Sequence, residues 1–91
     1  MQKHTKVYMT FFKYGIEDFV CCEIAWSEGQ TKRATEIHHV MGRGKDKDVI
    51  ENLMAVCREN HERCENKRKP YISKERQKEI HQQFIKSFSG V

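Results

Sequence analysis

The chain has 91 residues, 37% hydrophobic and 33% charged, with a net charge of +4. That length suits one small domain, expected to span residues 1–91, with a thin core. No apolar run approaches the roughly 20 residues of a membrane span, and no signal-peptide-like stretch stands at the start, so a soluble, cytoplasmic protein is expected. The positive charge tilts modestly towards polyanions and gathers at 42–47 (GRGKDK) and 66–69 (NKRK).

In chain order, residues 6–12 (KVYMTFF) are rich in β-branched and aromatic types and predict a first strand, broken by Gly15. Residues 26–31 (WSEGQT) predict a turn. Residues 34–41 (ATEIHHVM) predict a second strand, stopped by Gly42 and Gly44. Residues 52–57 (NLMAVC) predict a short apolar strand leading directly into a polar helix over 58–65, and Pro70 closes that unit. Ser73 is a candidate N-cap for a last helix over 73–88, with Ile80, Phe84, Ile85 and Phe88 on its packed face. The expected fold class is α+β: two antiparallel strands and a helix, with an additional N-terminal strand and a C-terminal helix.

The four cysteines, Cys21, Cys22, Cys57 and Cys64, admit two disulfides on number alone. Without a secretion signal, metal or core roles are favoured, and a bond between adjacent Cys21 and Cys22 would be strained.

Among five histidines, His4 and His81 receive no role, as ordinary terminal and helical residues. His38 and His39 are neighbours on a predicted strand, so their side chains point to opposite faces. His61 lies on the following helix, which in a strand–strand–helix unit packs back across the hairpin. One of the pair can then join His61 around a cation, because imidazole is a common ligand of divalent transition metals. Its neighbour, with an ordinary pKa near 6.5, suits proton abstraction at neutral pH. These residues alone leave a metal site and plain hydrogen-bonded strand histidines equally open.

The surrounding residues say more. Glu36-Ile37-His38-His39-Val40, a Gly-containing basic loop, the run 50–57 (IENLMAVC) and Asn60-His61 resemble the HNH, or ββα-metal, endonucleases over about residues 22–66. The family's His, Asn, His order falls on His39, Asn52 and His61, with Asn52 13 positions after His39 and His61 nine after Asn52. The size and pattern are similar to small free-standing HNH proteins of phages and mobile elements.

The resemblance implies a metal-dependent endonuclease that hydrolyses DNA phosphodiester bonds, by nicking or double-strand cleavage. It implies His39 as the general base, His38 and His61 as ligands of one divalent cation, and Asn52 as the brace of the hairpin loop. The expected cation is Mg²⁺ or Mn²⁺, with Ni²⁺ and Zn²⁺ also accepted by two histidines. Glu36 is a candidate support for the site, and Cys64 or Glu65, three and four residues after His61, a candidate extra ligand. Double-stranded DNA is the implied partner, with Arg43, Lys45, Lys47, Lys67, Arg68 and Lys69 near phosphates and a partner protein or DNA shape supplying specificity.

Many family members also hold a structural zinc in two CxxC pairs. Here Cys22-Glu-Ile-Ala25 and Cys57-Arg-Glu-Asn60 each keep only the first cysteine. Half a zinc site is not a zinc site, so Cys22 and Cys57 are read in preference as small buried hydrophobes. Two alternatives remain beside the nuclease: a degenerate zinc-ribbon module that binds DNA without cutting it, and a metal-dependent RNase.

Overall fold

Residues Leu53–Val56 (LMAV) are apolar at every position, and such a strand needs cover on both faces. In the computed structural model, which describes residues 2–89, this strand is the centre of the fold. The elements are α1 (Lys3–Phe11), α2 (Glu23–Ser27), β1 (Glu36–His39), a 3₁₀ turn (Ile50–Asn52), β2 (Leu53–Val56), α3 (Arg58–Cys64) and α4 (Lys74–Ser89). The architecture is small α+β: four helices around one two-stranded antiparallel sheet. No helix among the described residues is long and apolar enough to cross a membrane.

β1 pairs with β2 in the register Glu36↔Val56, Ile37↔Ala55, His38↔Met54 and His39↔Leu53. Strand alternation then puts Met54 and Val56 on one face with His38, and Leu53 and Ala55 on the other with His39. The first face joins Cys22, Ile24, Ala25, Val40, Cys64, Ile72 and Ile80 in one hydrophobic cluster. The second joins Tyr8, Phe12 and Phe84, with Ile37 and Trp26 packed against them. Fully burying a side chain such as Met54 or Leu53 contributes about 1.5–3 kcal/mol.

The expected N-terminal strand is not formed: residues 6–11 belong to helix α1. The β-branched and aromatic content pointed one way and the spacing another. His4, Tyr8 and Phe12 recur every four residues on the inward side, while Lys3, Lys6 and Thr10 are exposed. Phe12 packs edge-on against Phe84 and Phe88 of α4, which a helix in this place allows. The expected turn at 26–31 begins later, since Trp26 and Ser27 finish α2. Both strands are shorter than expected, and the polar helix and the last helix start where the sequence put them. Ser73 does cap α4, its Oγ accepting from the Arg76 N–H at 3.1 Å.

A buried polar chain ties five of these elements together. Tyr8 donates its hydroxyl to Glu23 at 2.5 Å, as does the Ala55 N–H at 3.2 Å. The other Glu23 oxygen meets His81 Nδ1 at 2.7 Å, and His81 Nε2 donates to the Ile50 carbonyl at 2.6 Å. Burial pushes the Glu23 carboxyl up, against the pull of His81 and Tyr8. Burial alone would lower His81, but the Glu23 carboxylate and the Ile50 carbonyl outweigh it and raise its pKa. The pair therefore shares a proton that it holds to higher pH than a free imidazole.

Candidate functional site

His38 lies under α3 and α4. Its Nε2 meets Gln77 Oε1 at 2.8 Å. The Gln77 amide nitrogen donates to the carbonyls of Cys64 (3.2 Å) and Ile72 (2.7 Å), which fixes the amide's orientation. Gln77 Oε1 must therefore accept, His38 Nε2 carries the proton, and the ring's lone pair sits on Nδ1. Burial is the main cause of a lowered His38 pKa, so this imidazole is neutral.

His61 is prepared in the complementary way. Its Nδ1 bonds the Glu36 carboxylate, whose other oxygen accepts from Arg58 at 3.0 Å. That leaves the Nε2 lone pair facing outward, 3.6 Å from the Glu65 carboxylate. The His61 bond, with Arg58 adding to it, holds the Glu36 carboxyl below its usual range despite some burial. The His38 and His61 rings stand edge to face with centroids 4.9 Å apart. Donor atoms of His38, His61 and Glu65 all lie within 4.8 Å of one another. A carboxylate behind a ligating histidine and a second histidine pinned through its far nitrogen are the usual supports of a cation site.

His39 faces α1 and the hairpin loop. Its Nε2 donates to Asp48 Oδ1 at 2.8 Å, and that bond holds the Asp48 carboxyl below its ordinary pKa. In the neutral ring the proton then sits on Nε2, and Nδ1 is, among the described residues, the buried side-chain nitrogen or oxygen left without a partner. The His4 ring packs edge-on against His39, centroids 4.9 Å apart. Burial, then the charges of His39 and Arg43, lower the His4 pKa.

Asn52 braces the loop between these two faces. Its Oδ1 accepts from the Met41 N–H at 2.7 Å, and its amide donates to Gly42 O (3.1 Å) and Lys47 O (3.0 Å). Gly42 sits at φ +90°, where a side chain would be strained, so the chain can turn directly out of β1. One buried amide therefore closes both ends of the basic loop.

A groove of about 450 Å³ runs along the exposed side of β1, lined by His4, Thr5, Glu36, Ile37, Arg43 and His61. Arg43 is the expected phosphate-contacting residue that lines it. Lys45, Lys47 and Lys69 are exposed elsewhere on the surface. Lys67 and Arg68 are exposed too, but each is paired with a local carboxylate, Glu65 at 3.6 Å and Glu62 at 2.9 Å.

The cysteines stand apart from both histidine groups. All four are free thiols. Cys22 and Cys64 are core residues with Cys57 against them, and Asn60 donates to Cys22 Sγ at 3.4 Å. Burial pushes the Cys64 thiol up to about 12 and also raises Cys57. Of the two candidate extra ligands, the geometry brings Glu65 to the cation group and leaves Cys64 in the core.

Sequence reasoning missed His4, Asp48, Gln77 and Arg58. The helical spacing of His4 with Tyr8 and Phe12 was a usable signal once α1 is read as a helix. Asp48 and Gln77 carry none, since loop closure and helix docking bring them to the doublet. No family model, curated protein or solved structure matches the chain.

Proposed function

We propose that the chain is a divalent-metal-dependent endonuclease of the HNH type, hydrolysing phosphodiester bonds of double-stranded DNA. The observation that carries the reading is the split of the His38–His39 doublet. On one face imidazole nitrogens of His38 and His61 lie together with the Glu65 carboxylate, and on the other an imidazole is oriented by a carboxylate with its second nitrogen unpartnered.

The donor set fits a cation. Both imidazoles are held with their protons turned away, on Gln77 and Glu36, and Glu65 adds an oxygen. Two nitrogens and one oxygen suit Mn²⁺, Ni²⁺ or Zn²⁺ on grounds of softness, with Mg²⁺ the least favoured by that set. When bound, such an ion offsets the charge that builds on the phosphoryl and departing 3′ oxygens.

The remaining work falls to the protein. His39 takes the proton of the attacking water on Nδ1, and Asp48 holds the ring in that tautomer and stabilises the imidazolium that results. His39 Nδ1 is closed to solvent in this structure, so the groups around it must part for water to enter. Asn52 keeps the loop, and with it Asp48, in register with the strand. Arg43 supplies positive charge in the groove along which a phosphate backbone would lie.

Supercoiled plasmid incubated with the protein and Mn²⁺, Ni²⁺ or Mg²⁺ tests this. Nicked or linear product is expected with metal, lost with EDTA and lost in His39→Ala. Binding without cleavage under every metal would replace the enzyme with a DNA-binding module. Cleavage of RNA alone would make it a ribonuclease.

A further inference from the structure

The face of β1 that carries His39 holds more than a base needs. His4 comes from α1, His39 from β1 and Asp48 from the hairpin loop, and their donor atoms lie within 4.8 Å of one another. A base with its orienting carboxylate accounts for two of these residues. It does not account for a second imidazole brought from the other end of the described chain and set edge-on at 4.9 Å.

We propose that His4, His39 and Asp48 form a second cation site, across the strand from His38 and His61, which takes a borderline transition-metal ion such as Ni²⁺ or Zn²⁺. Three features of the geometry support it. Two imidazoles and a carboxylate are the ligand chemistry that such ions prefer over Mg²⁺ or Ca²⁺. His39 Nε2 and Asp48 Oδ1 already stand 2.8 Å apart, so an ion shared by them replaces only the proton between them. The site also has a way in: His4 and Asp48 are both half-buried, and His4 lines the open groove beside β1.

The two sites differ in how they are built. The His38 site is backed by buried Gln77 and by the Glu36–Arg58 pair, so its donors are fixed before any ion arrives. At the second site His4 sits on the first turn of α1 and Asp48 on a loop. The ion would therefore bridge α1, β1 and the hairpin loop, where His39 now bonds Asp48 and packs edge-on against His4. This rests on the nuclease reading and deepens it in one respect: a neutral His39 with an ion on Nε2 carries its proton on Nδ1 and can no longer act as the base, so cation binding at the second site silences what cation binding at the first enables.

The test is the number of Ni²⁺ ions bound per chain at saturation, measured by equilibrium dialysis on the full chain. The variants are His4→Ala, His61→Ala and the double substitution, with circular dichroism to show that each is folded. Comparison among variants cancels any contribution of the four thiols, which all of them retain. At the free Ni²⁺ concentration that just saturates the unsubstituted chain, each single substitution is expected to abolish binding of one ion and so remove one from the total. The double substitution is expected to remove two. His4→Gln, which keeps the size of the side chain without a strong ligand atom, should behave as His4→Ala.

An unchanged stoichiometry in folded His4→Ala and His4→Gln would overturn the proposal. So would a double variant that loses no more than His61→Ala alone. The outcome does not depend on whether the protein cleaves DNA, so a failure of the nuclease reading and a failure of the second site are told apart.

Discussion

The two faces of β1 carry the same side chain at adjacent positions and make opposite use of it. His38 is 7% exposed and so is His39. Under His38 the partners come from helices or a helix end: Gln77 from α4, His61 from α3 and Glu65 at the C-cap of α3. Around His39 the partners come from a loop and from the first turn of α1, Asp48 and His4. The difference lies in the rigidity of the partners. A donor on a packed helix presents a fixed lone pair, as a cation ligand requires, whereas a donor on a loop or first turn can move, as access to a base requires.

The largest expected effect comes from breaking the rigid side. His61→Ala should lower metal-dependent plasmid cleavage by roughly 100-fold or more, because both the ligand and the role of Glu36 are lost. A variant that still cleaves at the wild-type rate would place the cation elsewhere.

Next is Gln77→Leu, which removes the group that fixes His38. The carbonyls of Cys64 and Ile72 lose a buried donor, at a cost of about 1–3 kcal/mol in urea unfolding. Affinity at the first cation site should fall about 10- to 100-fold, because the His38 ring is no longer held in one tautomer. Unchanged affinity would show that the ring is fixed by packing alone.

Two buried histidines should also separate by pH in metal-free protein. The His38 pKa is lowered by burial, so its contribution to stability is full above about 6.5, the unfolded value, and is lost as pH falls through the folded value. The His81 pKa is raised by Glu23 and the Ile50 carbonyl against burial. Its contribution is full below about 6.5 and is lost as pH rises through the folded value. His81→Gln should flatten the alkaline side of a stability–pH curve measured by urea midpoints between pH 5 and 9. If the acid side flattened instead, the proton assignment in the Glu23–His81 pair would be reversed.

The smallest effect sharpens the role of Glu36. Arg58 is exposed, so Arg58→Ala should leave the urea midpoint nearly unchanged and change the first-site affinity little. A large loss of affinity would mean that Arg58, not the strand, positions the Glu36 carboxylate.

How much of this was legible in the sequence follows from which contacts are local. The alternation in TEIHHVM put His38 and His39 on opposite faces, and the residue-by-residue resemblance placed His61 beside the first of them. NLMAVC read directly as a short apolar strand, and Ser73 as a cap, because both signals are contained in a few residues. KVYMTFF misled, since its β-branched and aromatic content outweighed the four-residue spacing of His4, Tyr8 and Phe12. Gln77 and His81 were invisible for a different reason. A polar residue on the inner face of a helix looks like a break in the apolar stripe until the chain that satisfies it, Cys64 and Ile72 or Glu23 and Ile50, is folded against it.

The central claim is that the strand divides two jobs between adjacent histidines. The affinity of the His61-dependent Mn²⁺ site, compared between His38→Ala and His39→Ala, tests it most directly. The account predicts at least a tenfold loss in His38→Ala and a change within about twofold in His39→Ala. Equal losses in both variants would contradict it, because the doublet would then serve one site and not two.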